Sequence, residues 1–189
     1  ACHVFFVWEL LRPLLNGTGT PMYVIPDEVI YDPGPLLTFL EQHAITRILF
    51  TPSLCQLLLD SFSADELSRR LGSTLTLVWL CGEVVTVELR NRFCAALPKC
   101  RLVSLYSISE CHDVSAVDLH EPTSLVNSPK YAPCGRIMAN VTVKILGGED
   151  GANGQVPLGV PGEVYVGGPV LARGYYGQVK KTAERFVPD

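Results

Sequence analysis

The sequence predicts an α/β protein: a doubly wound parallel-sheet subdomain over residues 1–120, followed by part of a β-rich, barrel-like subdomain over residues 121–189. Three observations predict it. Short apolar strands alternate with amphipathic helices from Met22 to Tyr106, the order expected of right-handed βαβ units. Residues Leu75 to Leu80 are apolar almost throughout, as in a strand covered on both faces. Beyond His120 the helical periodicity stops, and Pro122, Pro129, Pro133, Pro157 and Pro161 punctuate β-branched segments.

The elements follow in order. Val7 to Leu15 predicts a helix with Trp8, Leu11 and Leu15 on one face, ended by Asn16-Gly17. Met22 to Ile25 predicts a short strand. Asp32-Pro33 is a helix start, with a capping carboxylate and a proline at the first helical position; Leu36, Leu37 and Leu40 supply its buried stripe. Ile45 to Phe50 predicts a strand. Pro52-Ser53 opens a helix with Leu54, Leu57 and Leu58 inward, and a polar helix spans Asp65 to Arg70. Leu75 to Leu80 is the next strand, Thr86 caps a helix carrying Leu89, Phe93 and Leu97, and Leu102 to Tyr106 is a strand again. In the second part, Val141 to Leu146 and Glu163 to Val166 predict strands. Gly147-Gly148 and Asp150-Gly151 mark turns, and Thr182 to Phe186 a short helix.

Composition narrows the function classes. Of 189 residues, 48% are hydrophobic and 18% charged, which suits a packed core and not a disordered chain. The net charge is −4 with no basic patch, which argues against nucleic acid as a partner. Glu9, Arg12 and Glu83 interrupt the most apolar stretches, so no membrane span is predicted. Seven cysteines without a C-x-x-C suggest buried thiols in a reducing, cytoplasmic setting. The chain opens at Ala1 inside an apolar run and stops after a predicted helix, which reads as a piece of a longer protein.

Two strand ends carry the candidate chemistry. In open α/β sheets, ligands bind outside the carboxyl ends of the strands. Leu105 to Glu110 offers a tyrosine, two serines and a carboxylate there, suited to an aromatic base, phosphate and a hard cation; a plain polar turn is the simpler alternative. Cys81-Gly82-Glu83 ends the preceding strand, where glycine admits a close backbone approach. Cys111-His112-Asp113 invites a nucleophilic-triad reading, which the divergence of neighbouring side chains on an extended chain disfavours. The four histidines lack metal-ligand spacing. Gly17 to Thr20 lacks the Lys-Ser/Thr of a phosphate-binding P-loop.

Taken together, five segments resemble the adenylation domains of nonribosomal peptide synthetases, within the adenylate-forming, AMP-binding superfamily. Val7-Trp8-Glu9 is similar to the F-D-x-S-V-W-E motif, and Gly82-Glu83 to the G-G-E strand end. Leu105 to Glu110 is similar to the Y-G-P-T-E loop, and Pro133 to Arg136 to I-G-R-P. Gly162 to Tyr175 with Thr182 to Phe186 is similar to G-E-L-x-I-x-G-x-x-L-A-R-G-Y and its following T-A-E-x-F. The resemblance implies carboxylate activation by ATP and Mg²⁺ to an acyl-adenylate, then transfer to a carrier-bound phosphopantetheine thiol. Its partners would be a small carboxylic acid and a carrier-protein domain.

By position, the resemblance implies that Tyr106 packs on adenine and Ser109 touches phosphate. Gly82, Glu83, Ser104 and Ser107 would border the nucleotide, and Glu110 would bind Mg²⁺. Val4, Phe5, Trp8, Leu49, Trp79, Cys81, Leu105, Asp113 and Val114 would line the substrate pocket, with Val4 where amino-acid-activating members place an aspartate. The departures are Ser107-Ile108 for Gly-Pro, Ser104 for asparagine, and Gln178-Val179 for Arg-Pro. The phosphate loop with its lysine, the ribose-binding T-G-D and the catalytic lysine do not occur in these residues, so the chain alone is expected to be inactive. An acyl-CoA ligase and a non-catalytic binding module of the same fold are the alternative readings.

Overall fold

A computed structural model describes residues 11, 19, 21–121, 130–148 and 154–188. The chain packs as two compact units: Ala1–Tyr106 with Ala116–Gly135, and Ser107–Ser115 with Arg136–Asp189. Each unit therefore takes residues from both sides of position 120, a discontinuity that no single boundary in sequence expresses.

In the first unit the helices start where side chains can cap them. Helix α1 is Asp27–Ile30 and helix α2 is Pro33–Gln42, whose N-cap Asp32 accepts a bond from the Gly34 N–H. Strand β1 (Arg47–Phe50) runs into helix α3 (Pro52–Ser61), capped by Thr51 through the Leu54 N–H. Helix α4 (Ala64–Leu71) is capped by Ser63; strand β2 (Leu77–Cys81) leads to helix α5 (Val87–Ala96), capped by Thr86. Strand β3 is Arg101–Ile108. Strands β1 and β3 pair in parallel with β2 on its two edges, in register Phe50 to Leu80 and Leu80 to Ser104. Strand β4 (His112–Asp118) turns back beside β3, where the Leu119 N–H donates to the Leu102 carbonyl at 2.7 Å.

The core lies on one face of that sheet. Phe50, Val78, Leu80 and Leu102 meet Leu36, Leu37 and Leu40 of α2, Leu58 of α3, Leu67 and Leu71 of α4, and Leu89 and Phe93 of α5. Side chains alternate along a strand, so Leu77 and Trp79 point to the other face and are half-buried, while Val78 and Leu80 have no exposed surface. On that same face Cys81 and the β3 neighbours Val103 and Leu105 are buried, so β2 is covered on both faces, completely on the helix side and in part on the other. Arg70 bonds Glu41 at 2.8 Å and Arg92 bonds Asp60 at 2.6 Å, tying α4 to α2 and α5 to α3 at the surface.

One predicted strand is absent. Residues Met22 to Ile25 have no regular structure, and Val24 is 77% exposed. Pro21 and Pro26 bracket them, and an apolar run without a neighbouring edge has nothing to pair with. The predicted helix at Val7 to Leu15, its Asn16-Gly17 stop, Pro122, Pro129 and the Asp150-Gly151 turn lie outside the described residues, apart from Leu11.

The second unit is β-rich. Strand β5 (Arg136–Ile137) is followed by β6 (Thr142–Leu146) and β7 (Glu163–Gly167), antiparallel in register Val143 to Val166 and Ile145 to Val164. Helix α6 (Val179–Arg185) ends the described chain. Among the described residues no helix is long and apolar enough to cross a membrane. Cys55, Cys81, Cys100 and Cys111 are buried free thiols; burial pushes Cys55 and Cys100 up to about 12.

Leu80 tests this core. Leu80→Ala is expected to cost about 2–5 kcal/mol, because its side chain has no exposed surface. Thr86→Ala should cost about 1 kcal/mol through the lost cap. Urea denaturation of the two variants checks both, with the cap variant the milder.

Candidate functional site

The first unit contributes the ends of β2 and β3. Gly82 follows β2 with φ +89°, a conformation that glycine adopts without strain, and a Cβ there would meet nothing within 4 Å. Glu83 is engaged: its carboxylate accepts from the Ser53 N–H at 3.0 Å and from the Ser53 hydroxyl at 2.8 Å. An acidic group on the first turn of α3 also meets the positive end of that helix. Glu83 therefore ties the end of β2 to the β1–α3 turn. Ser104 is buried and aligned with Leu80 and Phe50 on the core side, so it supports the strand end from beneath. Tyr106 is half-buried.

The register also gathers the predicted substrate positions. Leu49 aligns with Trp79 and Trp79 with Val103; two residues further, Cys81 aligns with Leu105. By alternation, Leu49, Trp79, Cys81 and Leu105 all lie on the face opposite the helix-packed core. Three strands thus share one apolar face, half-buried at Leu49 and Trp79 and buried at Cys81 and Leu105. Val4, Phe5 and Trp8 lie outside the described residues.

The second unit holds the rest of the β3–β4 turn. Ser107 is half-buried and its Oγ finds no partner among the described residues. Ser109 is exposed on the turn, which the Cys111 N–H closes by donating to the Ile108 carbonyl at 3.3 Å. His112 adopts φ +59°, unusual for a side-chain-bearing residue. Its Nδ1 lies 3.1 Å from Asp113 Oδ1, at ion-pair distance but without hydrogen-bond alignment, so that buried oxygen has no donor among the described residues. Val114 is buried, and its carbonyl accepts from the Met138 N–H at 2.9 Å beside β5. Cys111 is buried too; burial, then Glu110 and Asp113, push its thiol up, opposite to what a nucleophile needs.

Glu110 meets the segment before α6. The Ala172 N–H donates to its carbonyl at 2.7 Å, and the Tyr175 hydroxyl donates to its Oε1 at 2.5 Å. The bond to Glu110 holds the Tyr175 phenol above its ordinary range, with desolvation adding to it. Tyr175 is itself fixed. Its N–H donates to Thr182 Oγ1 at 2.9 Å, its ring meets the Phe186 ring edge-on at 5.5 Å, and Lys181 Nζ sits 4.6 Å from the ring centre. Gly174, at φ +134°, passes so close to Thr182 that a Cβ would fall 2.4 Å from its methyl. Leu-Ala-Arg-Gly-Tyr and Thr-Ala-Glu-Arg-Phe are therefore one packed object. The sequence names Tyr175 as a motif letter; nothing local pairs it with Glu110.

A parallel sheet with polar residues at its strand ends, together with a β-rich unit, defines a mixed α/β protein. The profile of the AMP-binding enzyme family matches residues 1–176, and the chain belongs to that family. It is 41% identical, over its whole length, to glycine betaine reductase ATRR of Emericella nidulans, of which it spans 14%. It is 34% identical over 97% of its length to phosphinothricin tripeptide synthetase PhsB of Streptomyces viridochromogenes, again spanning 14%. Among solved structures, that of IdnL1 superposes with TM-score 0.75 and 26% identity, over 87% of this chain and 33% of that one.

Gly174→Ala tests the packed motif. The strained φ and the clash with Thr182 are expected to destabilise the turn by about 1–3 kcal/mol. Hydrogen exchange should quicken at the amides of Tyr175 and Phe186, which donate to Thr182, and stay unchanged in α2 to α5.

Proposed function

We propose that the chain is the central part of an ATP-dependent, carboxylate-activating adenylation domain of the nonribosomal-peptide-synthetase type. The observation that carries this is the family match over residues 1–176, which spans the five motifs in their expected order up to Tyr176. The packing of two of those motifs on each other at Glu110 and Tyr175 supports it.

In this reading a substrate carboxylate oxygen attacks the α-phosphorus of ATP and pyrophosphate leaves. A phosphopantetheine thiol on a carrier-protein domain then attacks the acyl carbon and AMP leaves. Tyr106 packs on adenine and Ser109 donates to phosphate, with Gly82, Glu83 and Ser107 bordering the nucleotide; Ser104, expected there from the sequence, faces the core instead and supports the strand end. Among the described residues no three His, Cys, Asp or Glu side chains form a metal cage. Mg²⁺ keeps its waters and takes one or two carboxylates beside phosphate oxygens. Glu110 would hold it through Oε2, the oxygen that Tyr175 leaves uncovered. Bound there, the cation would neutralise phosphate charge as it develops. The setting is cytoplasmic.

The substrate is a carboxylate without an ordinary α-ammonium. Val4 can neither accept a hydrogen bond nor balance a charge, and an unpaired buried ion costs several kcal/mol. A quaternary ammonium has no N–H to satisfy and is attracted to aromatic faces. The positions that the family resemblance assigns to the pocket include the aromatic Phe5, Trp8 and Trp79 and the acidic Asp113. One relative is, by its name, a glycine betaine reductase. The substrate class proposed is accordingly a small betaine.

Carboxylate-dependent ATP–pyrophosphate exchange by the full-length protein tests this. Glycine betaine should support exchange better than glycine or common L-amino acids, and Glu110→Gln should lower the rate on the order of a hundredfold. Preference for a common L-α-amino acid over betaine contradicts the substrate class; an undiminished rate in Glu110→Gln removes Glu110 from the site.

A further inference from the structure

We propose that Tyr175 is a positioning residue for Glu110, its hydroxyl holding one carboxylate oxygen so that the other is left for a divalent cation carried by the nucleotide. The inference rests on the proposed function, and adds a role for a residue that would touch neither nucleotide nor metal.

The geometry is specific. Tyr175 and Glu110 stand 65 positions apart, yet the phenol reaches Oε1 at 2.5 Å. Three residues earlier, the Ala172 N–H holds the Glu110 carbonyl at 2.7 Å. One short segment thus grips both the main chain and the side chain of Glu110. Oε2 has no partner among the described residues.

The phenol is held from the other side as well. Thr182 accepts the Tyr175 N–H, Phe186 packs edge-on against the ring and Lys181 lies over its face. Gly174 lets the chain pass against Thr182, where any side chain would push the tyrosine away. A hydroxyl on a ring held this way has few positions to sample, so the carboxylate it bonds loses rotamer freedom before any ligand arrives.

The chemistry favours a phenol for this task. A lysine or arginine in its place would pair with the carboxylate and cancel the charge that attracts a cation. A neutral hydroxyl fixes the carboxylate while leaving its charge intact. Lys181, the cation beside the ring, stacks on its face. Partners of this kind, one bond removed from a metal, orient the ligand and tune its affinity.

The test uses the full-length protein with Mn²⁺ as a spectroscopic substitute for Mg²⁺. Electron paramagnetic resonance follows Mn²⁺ binding in the presence of ATP, without turnover. Tyr175→Phe keeps the ring and removes one oxygen. It should weaken Mn²⁺ affinity on the order of tenfold, the usual scale for an outer partner of a metal ligand. In a Glu110→Gln background the same change should cause no further loss, whereas a merely structural role would weaken binding equally in both. In the exchange assay, the Mg²⁺ concentration for half-maximal rate should rise while the KM for the carboxylate stays the same. Glu110→Asp gives a second reading independent of any change at Tyr175: it keeps the charge but draws the carboxylate off the phenol, and should also weaken Mn²⁺ binding. Unchanged Mn²⁺ affinity in Tyr175→Phe, or full-strength binding in Glu110→Asp, overturns the positioning role alone. Absence of Mn²⁺–ATP binding in the unsubstituted protein overturns the nucleotide site, and the positioning role with it.

Discussion

Strand β2 is the constraint on which the first unit depends. It lies between β1 and β3, so both of its backbone edges are paired within the sheet. That leaves only its side chains to decide the fold. Val78 and Leu80 are wholly buried beneath the helices, which fixes which face of the sheet those helices cover. The register then carries the choice to the neighbours: Ile48 and Phe50 on one side, Leu102 and Ser104 on the other, share the covered face. Leu49, Trp79, Cys81 and Leu105 are left on the opposite face as a consequence. A one-residue slip of β2 would exchange the two sets.

The same constraint places the polar chemistry at the carboxyl ends of the strands. A strand that is apolar along its length can carry Gly and Glu only where it stops. Gly82 with its positive φ turns the chain, and Glu83 fastens the turn to Ser53 on the neighbouring helix. The second unit solves its own problem differently. It has few buried side chains, and its order around Glu110 comes from hydrogen bonds and ring contacts centred on Tyr175. Polar networks of this sort specify geometry more than they add stability.

Much of the first unit was legible in the sequence because its signals are local. Asp32 and Thr86 mark helix starts by hydrogen bonds that reach only two or three residues, and the prolines at 33 and 52 mark them by their fixed φ and missing N–H. The strands at Arg47–Phe50 and Leu77–Cys81 stand out as short apolar runs between turns. Met22 to Ile25 has the same local character but no partner, and pairing is not a local property. The four-residue helix Asp27–Ile30 is too short for periodicity to reveal. The sheet face shared by Leu49, Trp79, Cys81 and Leu105 was implicit in alternation, yet it required the interstrand register. The bonds of Glu83 to Ser53 and of Glu110 to Tyr175 span 30 and 65 positions, and no spacing rule reaches across such distances. Motif order pointed to both acidic residues; packing supplies their partners.

The proposed function requires that a carboxylate oxygen attack the α-phosphorus of ATP. Positional isotope transfer measures that directly. The full-length protein is supplied with ATP, a thiol acceptor and glycine betaine labelled with ¹⁸O in both carboxylate oxygens. The account predicts one ¹⁸O in the phosphate of the AMP released, because the oxygen that bonds phosphorus stays with it when the thiol takes the acyl group. Recovery of the label in inorganic phosphate, with ADP as the nucleotide product, would mean attack on the γ-phosphorus and would contradict the account.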